Sequence, residues 1–168
     1  MLGALFFWKQ TLRVAGPDSP ADVVARLQAE LSAGRFGLKE RLAGELGGSR
    51  LKVRKFSMIG RALDVVEFEG ELRGESGGTV IEGVASYSPA TSIQFVGMLA
   101  IGAGMVAIGI QRGLAAPGAS WELFGAGVVV TIVALAWIVS SYSMKGEQIA
   151  FIERRLRDAV DRKRAAPA

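Results

Sequence analysis

The sequence predicts an α+β membrane protein: a small antiparallel β-meander with one helix, then a two-helix transmembrane hairpin and a C-terminal amphipathic helix. Three observations lead there. Thr91–Ile110 and Leu123–Tyr142 hold no charged residue, and each is about the twenty residues a helix needs to cross ~30 Å of hydrocarbon. The connection Gln111–Glu122 contains Gly113, Pro117 and Gly118, which suit a tight turn between antiparallel helices. Upstream, short runs of alternating apolar and polar residues are separated by Gly-Gly turns, the pattern of half-buried strands. The boundaries follow as a cytoplasmic α+β domain over 1–89, a hairpin over 90–143 with spans near 91–111 and 122–142, and a basic amphipathic helix and tail over 144–168.

The first element is a strand. Phe6, Trp8, Leu12 and Val14 fall on one side of an extended chain, with Phe7, Lys9, Thr11 and Arg13 on the other. Met1–Trp8 is apolar, but Lys9 arrives too early for a secretory h-region and no small-residue cleavage site follows. The strand stops at Gly16-Pro17. Ser19 then fits an N-cap, Pro20 the first helical position and Asp22 the capping-box site. Val24, Leu27 and Leu31 form the expected apolar stripe of this helix, Arg26 and Glu30 an i,i+4 pair, and Gly34 the stop.

Residues 36–46 fit two periods. Leu38, Leu42 and Leu46 recur every four residues, yet they also alternate with Lys39, Arg41 and Glu45. The Gly47-Gly48 turn favours a strand. In Arg50–Phe56, Leu51 and Val53 alternate with Arg50, Lys52 and Arg54; in Val66–Arg73, Val66, Phe68 and Leu72 alternate with Glu67, Glu69, Glu71 and Arg73. A hairpin through Ser57–Asp64 sets Arg54 against Glu67, Lys52 against Glu69 and Arg50 against Glu71, with Val53 on Phe68. Charge and core agree on that one register. Ser76-Gly77-Gly78 turns the chain into Thr79–Tyr87, whose Ile81, Gly83, Ala85 and Tyr87 face the core, and Pro89 ends the strand.

In the first span Gly97, Ala100, Gly104 and Ala107 share one face, and in the second Gly127, Thr131, Ala134 and Ser141 do. Small faces let helices approach closely in lipid. They serve either packing within the hairpin or association with another chain. After Tyr142, Ile149, Ile152, Leu156 and Val160 make a narrow stripe on a helix otherwise charged. That helix either lies on anionic lipid through Lys145, Arg154, Arg155 and Arg157, or packs on the domain's own sheet. Only Arg112 lies between the spans, so the basic C-terminal flank predicts both chain ends in the cytoplasm and the turn outside an inner membrane.

Composition excludes several chemistries. The chain has no Cys and no His, so thiolate nucleophiles, imidazole bases and Cys/His zinc sites are absent. The net charge of +4 is not concentrated on the folded domain: residues 1–90 carry twelve basic and eleven acidic side chains, which argues against nucleic acid. Glu67, Glu69, Glu71 and Glu82 could offer oxygens to a divalent ion, but the neighbouring basic strand pairs them. No catalytic, metal or cofactor-binding residues emerge. Neither Thr91–Ile110 nor Leu123–Tyr142 holds a charged residue, against transport by a single chain.

Gly77-Gly78-Thr79-Val80-Ile81-Glu82-Gly83, the following Pro89, the paired apolar helices and Phe151-Ile152-Glu153-Arg154-Arg155-Leu156 resemble uncharacterised small bacterial inner-membrane proteins. The resemblance covers about residues 35–160. It departs at Ser88-Pro89, where those proteins often carry His-Pro, and at Ile59-Gly60-Arg61, where they carry Arg-Asn-Ser. It implies a β-rich cytoplasmic region, two spans and a short amphipathic C-terminal helix, with no agreed activity. The expected function is a non-enzymatic accessory, assembly or interaction subunit of a membrane complex, contacting lipids and either other subunits or its own copies. The alternatives are a tethered lipid- or amphiphile-binding domain, with its pocket between the sheet and the Ser19–Ala33 helix, and a homo-oligomeric channel.

Overall fold

The computed structural model describes residues 8–32, 40–56, 65–115 and 121–161. The expectations placed on Phe6, Phe7, Gly34, Leu38, Lys39, Ile59–Arg61 and the Pro117-Gly118 turn lie outside them. The order is β1 (Lys9–Gly16), α1 (Pro20–Ser32), β2 (Arg41–Gly47), β3 (Arg50–Phe56), β4 (Val66–Glu75), β5 (Gly78–Tyr87), α2 (Pro89–Ala115) and α3 (Trp121–Val160). The fold is α+β: a five-stranded antiparallel sheet, one small helix, then two long apolar helices. The described residues form two compact units, 89–143 and 8–88 with 144–161.

The sheet order is β1-β5-β4-β3-β2. Strands β2 to β5 meander, and β1 closes the far edge by pairing with β5. The β3–β4 register is the one that charge and core dictated: Arg50 opposite Glu71, Lys52 opposite Glu69, Arg54 opposite Glu67, and Val53 opposite Phe68. The ion pairs are redistributed along it. Lys52 Nζ takes Glu69 at 2.6 Å and Glu67 at 3.5 Å, while Glu71 is held at 2.6 Å by Arg73 of its own strand. A hydrogen bond to Glu69 raises the Lys52 pKa, and the Arg73 hydrogen bond lowers that of Glu71. Residues 41–47 are strand, and the turn that follows is Gly48-Ser49, one position later than Gly47-Gly48. Gly48 sits there at φ 62°, a conformation that glycine adopts without steric cost.

Two elements cover the apolar face. Helix α1 lies against β2, β4 and β5. Ser19 caps it, its Oγ accepting from the Asp22 N–H at 3.3 Å and donating to the Asp22 carboxylate at 2.8 Å. Its fully buried residues are Val23 and Leu27, with Val24 and Leu31 at the margin, so the stripe is rotated one position from the Val24-centred expectation. Arg26 does not pair with Glu30. It reaches Asp18 at 2.6 Å and donates to the Ala159 carbonyl at 2.7 Å.

The second cover is the C-terminal part of α3. Ile149, Ile152, Leu156, Ala159 and Val160 share the buried cluster with Leu12, Leu51, Val53, Phe68 and Ile81. The amphipathic helix expected after Tyr142 is thus continuous with the second apolar stretch, one helix of 40 residues and ~60 Å. Buried Gln148 ties it down: its Oε1 accepts from the N–H groups of Val65 at 3.1 Å and Val66 at 3.0 Å. Gly16 admits the helix end, because a Cβ there would fall on the Val160 backbone. Gly70 and Gly83 face each other across β4 and β5, and a Cβ on Gly70 would lie 2.6 Å from the Phe68 ring. The missing side chain of Gly70 makes room for that ring, and that of Gly83 for the Glu69–Gly70 backbone of β4.

Charged groups rim this core. Lys55, on the opposite sheet face from Lys52, is buried and pairs with Glu40 at 2.6 Å and Glu147 at 3.1 Å. Burial pulls its pKa down, but hydrogen bonds and attraction from the two carboxylates outweigh that and raise it. Arg155 donates to the Glu40 carbonyl at 3.3 Å and lies 3.5 Å from Glu30. Burial raises the Glu30 pKa above 4.5 despite Arg155 and the facing Leu42 N–H, with Asp158 adding to the rise. Edge strand β2 is therefore flanked by Glu30 and Arg155, which engage polar groups that an incoming strand would otherwise use.

Two outcomes are expected. Gln148→Leu leaves the Val65 and Val66 N–H groups buried without an acceptor, costing about 1–3 kcal/mol for each; thermal unfolding of detergent-solubilised protein reads this, and Arg154→Leu at an exposed site of α3 should move it by less than about 0.5 kcal/mol. Glu30 binds its proton more tightly folded than unfolded, so the stability this group contributes is fully present in acid and falls as pH rises from about 4.5 through the raised folded pKa. Glu30→Gln should remove that fall and gain stability at neutral pH relative to the native chain. A pH series of melting temperatures checks it.

Candidate functional site

The hairpin unit packs through two sets of small residues at heptad spacing. On α2 the buried positions are Thr91, Phe95, Gly102 and Gly109; on the facing helix they include Gly127, Ala134, Ile138 and Ser141. The approach is close enough to exclude any side chain. A Cβ on Gly102 would fall on Thr131 Oγ1, one on Gly127 would lie 2.7 Å from the Val106 backbone nitrogen, and one on Gly109 2.8 Å from Phe124 Cα. Thr131 returns its hydroxyl to the Gly127 carbonyl at 2.8 Å, as a polar side chain in an apolar helix does when no external partner is present. Phe95 and Trp137 stack edge to face at 5.2 Å.

The two small faces read from the sequence therefore part company. Gly127, Thr131, Ala134 and Ser141 line the inside of the hairpin. Gly97, Ala100, Gly104 and Ala107 do not. Gly104 stands two residues from Gly102, a rotation of about 200° at ~100° per residue, and so points away. Among the described residues no atom lies within 4 Å of a Cβ built on Gly97 or Gly104. Helix α2 thus carries a second stripe of small residues on its outer side. Sequence reasoning missed Gly102 and Gly109, and their seven-residue spacing from Phe95 was the signal that could have found them.

Much of the rest of the hairpin surface is apolar. Ile93 is 71% exposed and Val139 67%, and Ile101, Ile110, Val129, Ile132 and Val133 are exposed beside them. Contiguous exposed apolar surface of that kind marks a surface for contact with protein or membrane. Both helices are long and apolar enough to cross a membrane.

The four basic residues expected on lipid occupy distinct settings. Arg155 is engaged with Glu30, Glu40 and the Phe151 ring, and Arg157 pairs with Glu153 one turn back. Arg154 is exposed. Lys145 lies 5.2 Å from the centre of the Trp8 ring, and Trp8 in turn meets Tyr87 at 5.9 Å. Glu67, Glu69 and Glu71 of β4 are held by Lys52 and Arg73, and among the described residues no three acidic side chains converge on one point. The space between α1 and the sheet is filled by Val23, Leu27, Leu42 and Phe68.

The structure has a β-sheet region followed by two long apolar helices that could span a membrane by length and composition. Comparison with known protein families, curated proteins and solved structures finds no match to this chain.

Proposed function

We propose that this chain is an integral inner-membrane protein that acts without catalysis, as an accessory or assembly subunit whose first span binds a helix of another membrane protein. The observation that carries the reading is the outer stripe of α2. Gly97 and Gly104 are not needed by the hairpin, whose own close contact uses Gly102, Gly109 and Gly127. In lipid, where apolar burial gives no net drive, small outward-facing residues are what allow a second backbone to approach. The packed core between α1 and the sheet gives no comparable support to a lipid-binding pocket.

Topology is supported by the sheet unit itself. Residues 8–88 and 144–160, on either side of the hairpin in sequence, share one hydrophobic core, so they belong on the same side of the bilayer. The basic flank after the second span, against the lone Arg112 between spans, favours the cytoplasm for that side.

Gly104→Ile should abolish a crosslink to a partner helix in native membranes while leaving insertion and monomer stability intact. Gly102→Ile should do the reverse, destabilising the monomer by overpacking of about 1–3 kcal/mol or more. Equal effects at the two positions would defeat the assignment of separate inner and outer faces. Crosslinking of the native chain to itself alone would replace the accessory-subunit reading with a homo-oligomer. Reporter fusions after Ala168 and within Ala115–Ser120 should report cytoplasm and periplasm respectively, and an exported C-terminus would refute the orientation.

A further inference from the structure

We infer that the outer edge of β1 takes an extended segment of another protein as an added strand, with acidic residues facing Lys9 and Arg13 and apolar residues beside Leu12 and Val14. The inference is independent of the outer stripe of α2. The sheet order leaves two strands with a neighbour on one side only, β1 and β2. Their free edges differ. At β2, Glu30 takes the Leu42 N–H and Arg155 the Glu40 carbonyl. At β1, among the described residues, nothing outside β5 hydrogen-bonds to the backbone of Lys9–Gly16. The strand runs for eight residues, paired one for one with β5. Every second residue of such an antiparallel ladder turns both its N–H and its C=O away from the paired strand. Long edges are commonly interrupted by a Pro or a bulge, and β1 has neither.

The side chains select the occupant. Lys9, Thr11 and Arg13 are exposed on one face, while Leu12 and Val14 on the other belong to the core. Lys9 makes no ion pair among the described residues. Arg13 reaches Glu75 at 3.3 Å, with both side chains more than half exposed. Opposite charges directly across two strands attract and like charges repel, so this edge refuses a basic strand and accepts an acidic one. The sheet already pairs basic β3 with acidic β4 in that way. The chain itself offers no such occupant. Strand β4 has β3 and β5 on its two sides, and β1 of a second copy would add two more cations. Edge strand β2 carries Arg41 as well as Glu45. In the stretches 1–7, 33–39, 57–64, 116–120 and 162–168, only Asp64 is acidic.

The test uses the full chain in detergent and a fluorescently labelled peptide, acetyl-Thr-Val-Glu-Val-Thr-Val-Glu-Val-Thr-amide. Its Glu-Val-Thr-Val-Glu centre matches Lys9–Arg13 in either strand direction. Anisotropy gives the Kd, and amide hydrogen exchange gives the location. The peptide should slow exchange within Lys9–Gly16 and leave Arg41–Gly47 unchanged. Placing Lys at both peptide Glu positions turns two attractive pairs repulsive and should weaken binding about tenfold. Lys9→Glu, at an exposed side chain, should weaken binding of the Glu peptide about threefold and strengthen that of the Lys peptide by a similar factor. Absence of binding, slowed exchange at β2 or nowhere in β1, or equal affinity for the two peptides overturns the docking edge. Concentration-dependent protection of β1 without peptide also overturns it, assigning the edge to a second copy. Neither readout involves Gly104, so failure of the α2 assignment and failure of this one are separate results.

Discussion

The apolar face of the sheet is closed by residues that come after both apolar stretches, at the C-terminal end of α3, and most of the architecture depends on that closure. Helix α1 supplies only Val23 and Leu27 as fully buried side chains, too little to cover five strands. Ile149, Ile152, Leu156, Ala159 and Val160 supply the rest. Gln148 fixes where this cover sits, because its carbonyl takes two buried N–H groups at the start of β4. Gly16 fixes how near it comes, since any side chain there would strike Val160. Packing, hydrogen bonding and steric access thus specify a single seating for the helix.

The two faces of the sheet treat charge differently. On the open face, basic β3 and acidic β4 lie side by side in solvent, where ion pairs add little to stability and mainly disfavour a slipped register. On the covered face the charged groups sit at the rim. Lys55 is bracketed by Glu40 and Glu147, and Arg155 bridges α1 and the start of β2. Glu30 is the costly member, desolvated enough that its ionised form is disfavoured. It sits beside edge strand β2, where it engages the Leu42 N–H, a backbone group that an incoming strand would otherwise use.

How much of this was legible in the sequence varied with how many constraints each residue answered to. The β3–β4 register could be read because charge alternation and apolar alternation independently required it. The α1 stripe was misplaced by one residue because Val23 and Val24 are both apolar, and periodicity over so short a helix does not separate them. Arg26 was assigned to its helical neighbour, although tertiary partners at Asp18 and Ala159 hold it. On α2, glycines and alanines occupy several faces, so composition could not say which stripe meets the other helix; backbone proximity at Gly102 and Gly109 decides it. The stripe of Ile149, Ile152, Leu156 and Val160 was visible, but an amphipathic pattern reads the same whether lipid or a sheet covers it. The acceptor role of Gln148, which separates those cases, leaves no trace in a pattern of polar and apolar residues.

The late arrival of that cover has a consequence for biogenesis. A ribosome working at about 5–20 residues per second needs roughly 3–12 s to pass from Tyr87 to Ile149. During that interval the strands have been made, but Leu12, Val53, Phe68 and Ile81 lack the helix that buries them. The nascent domain keeps that apolar face open for as long as the apolar stretches are being synthesised. Completion of its core therefore waits on synthesis of the C-terminal part of α3, and a chain that stalls before Gln148 leaves the sheet uncovered on that side.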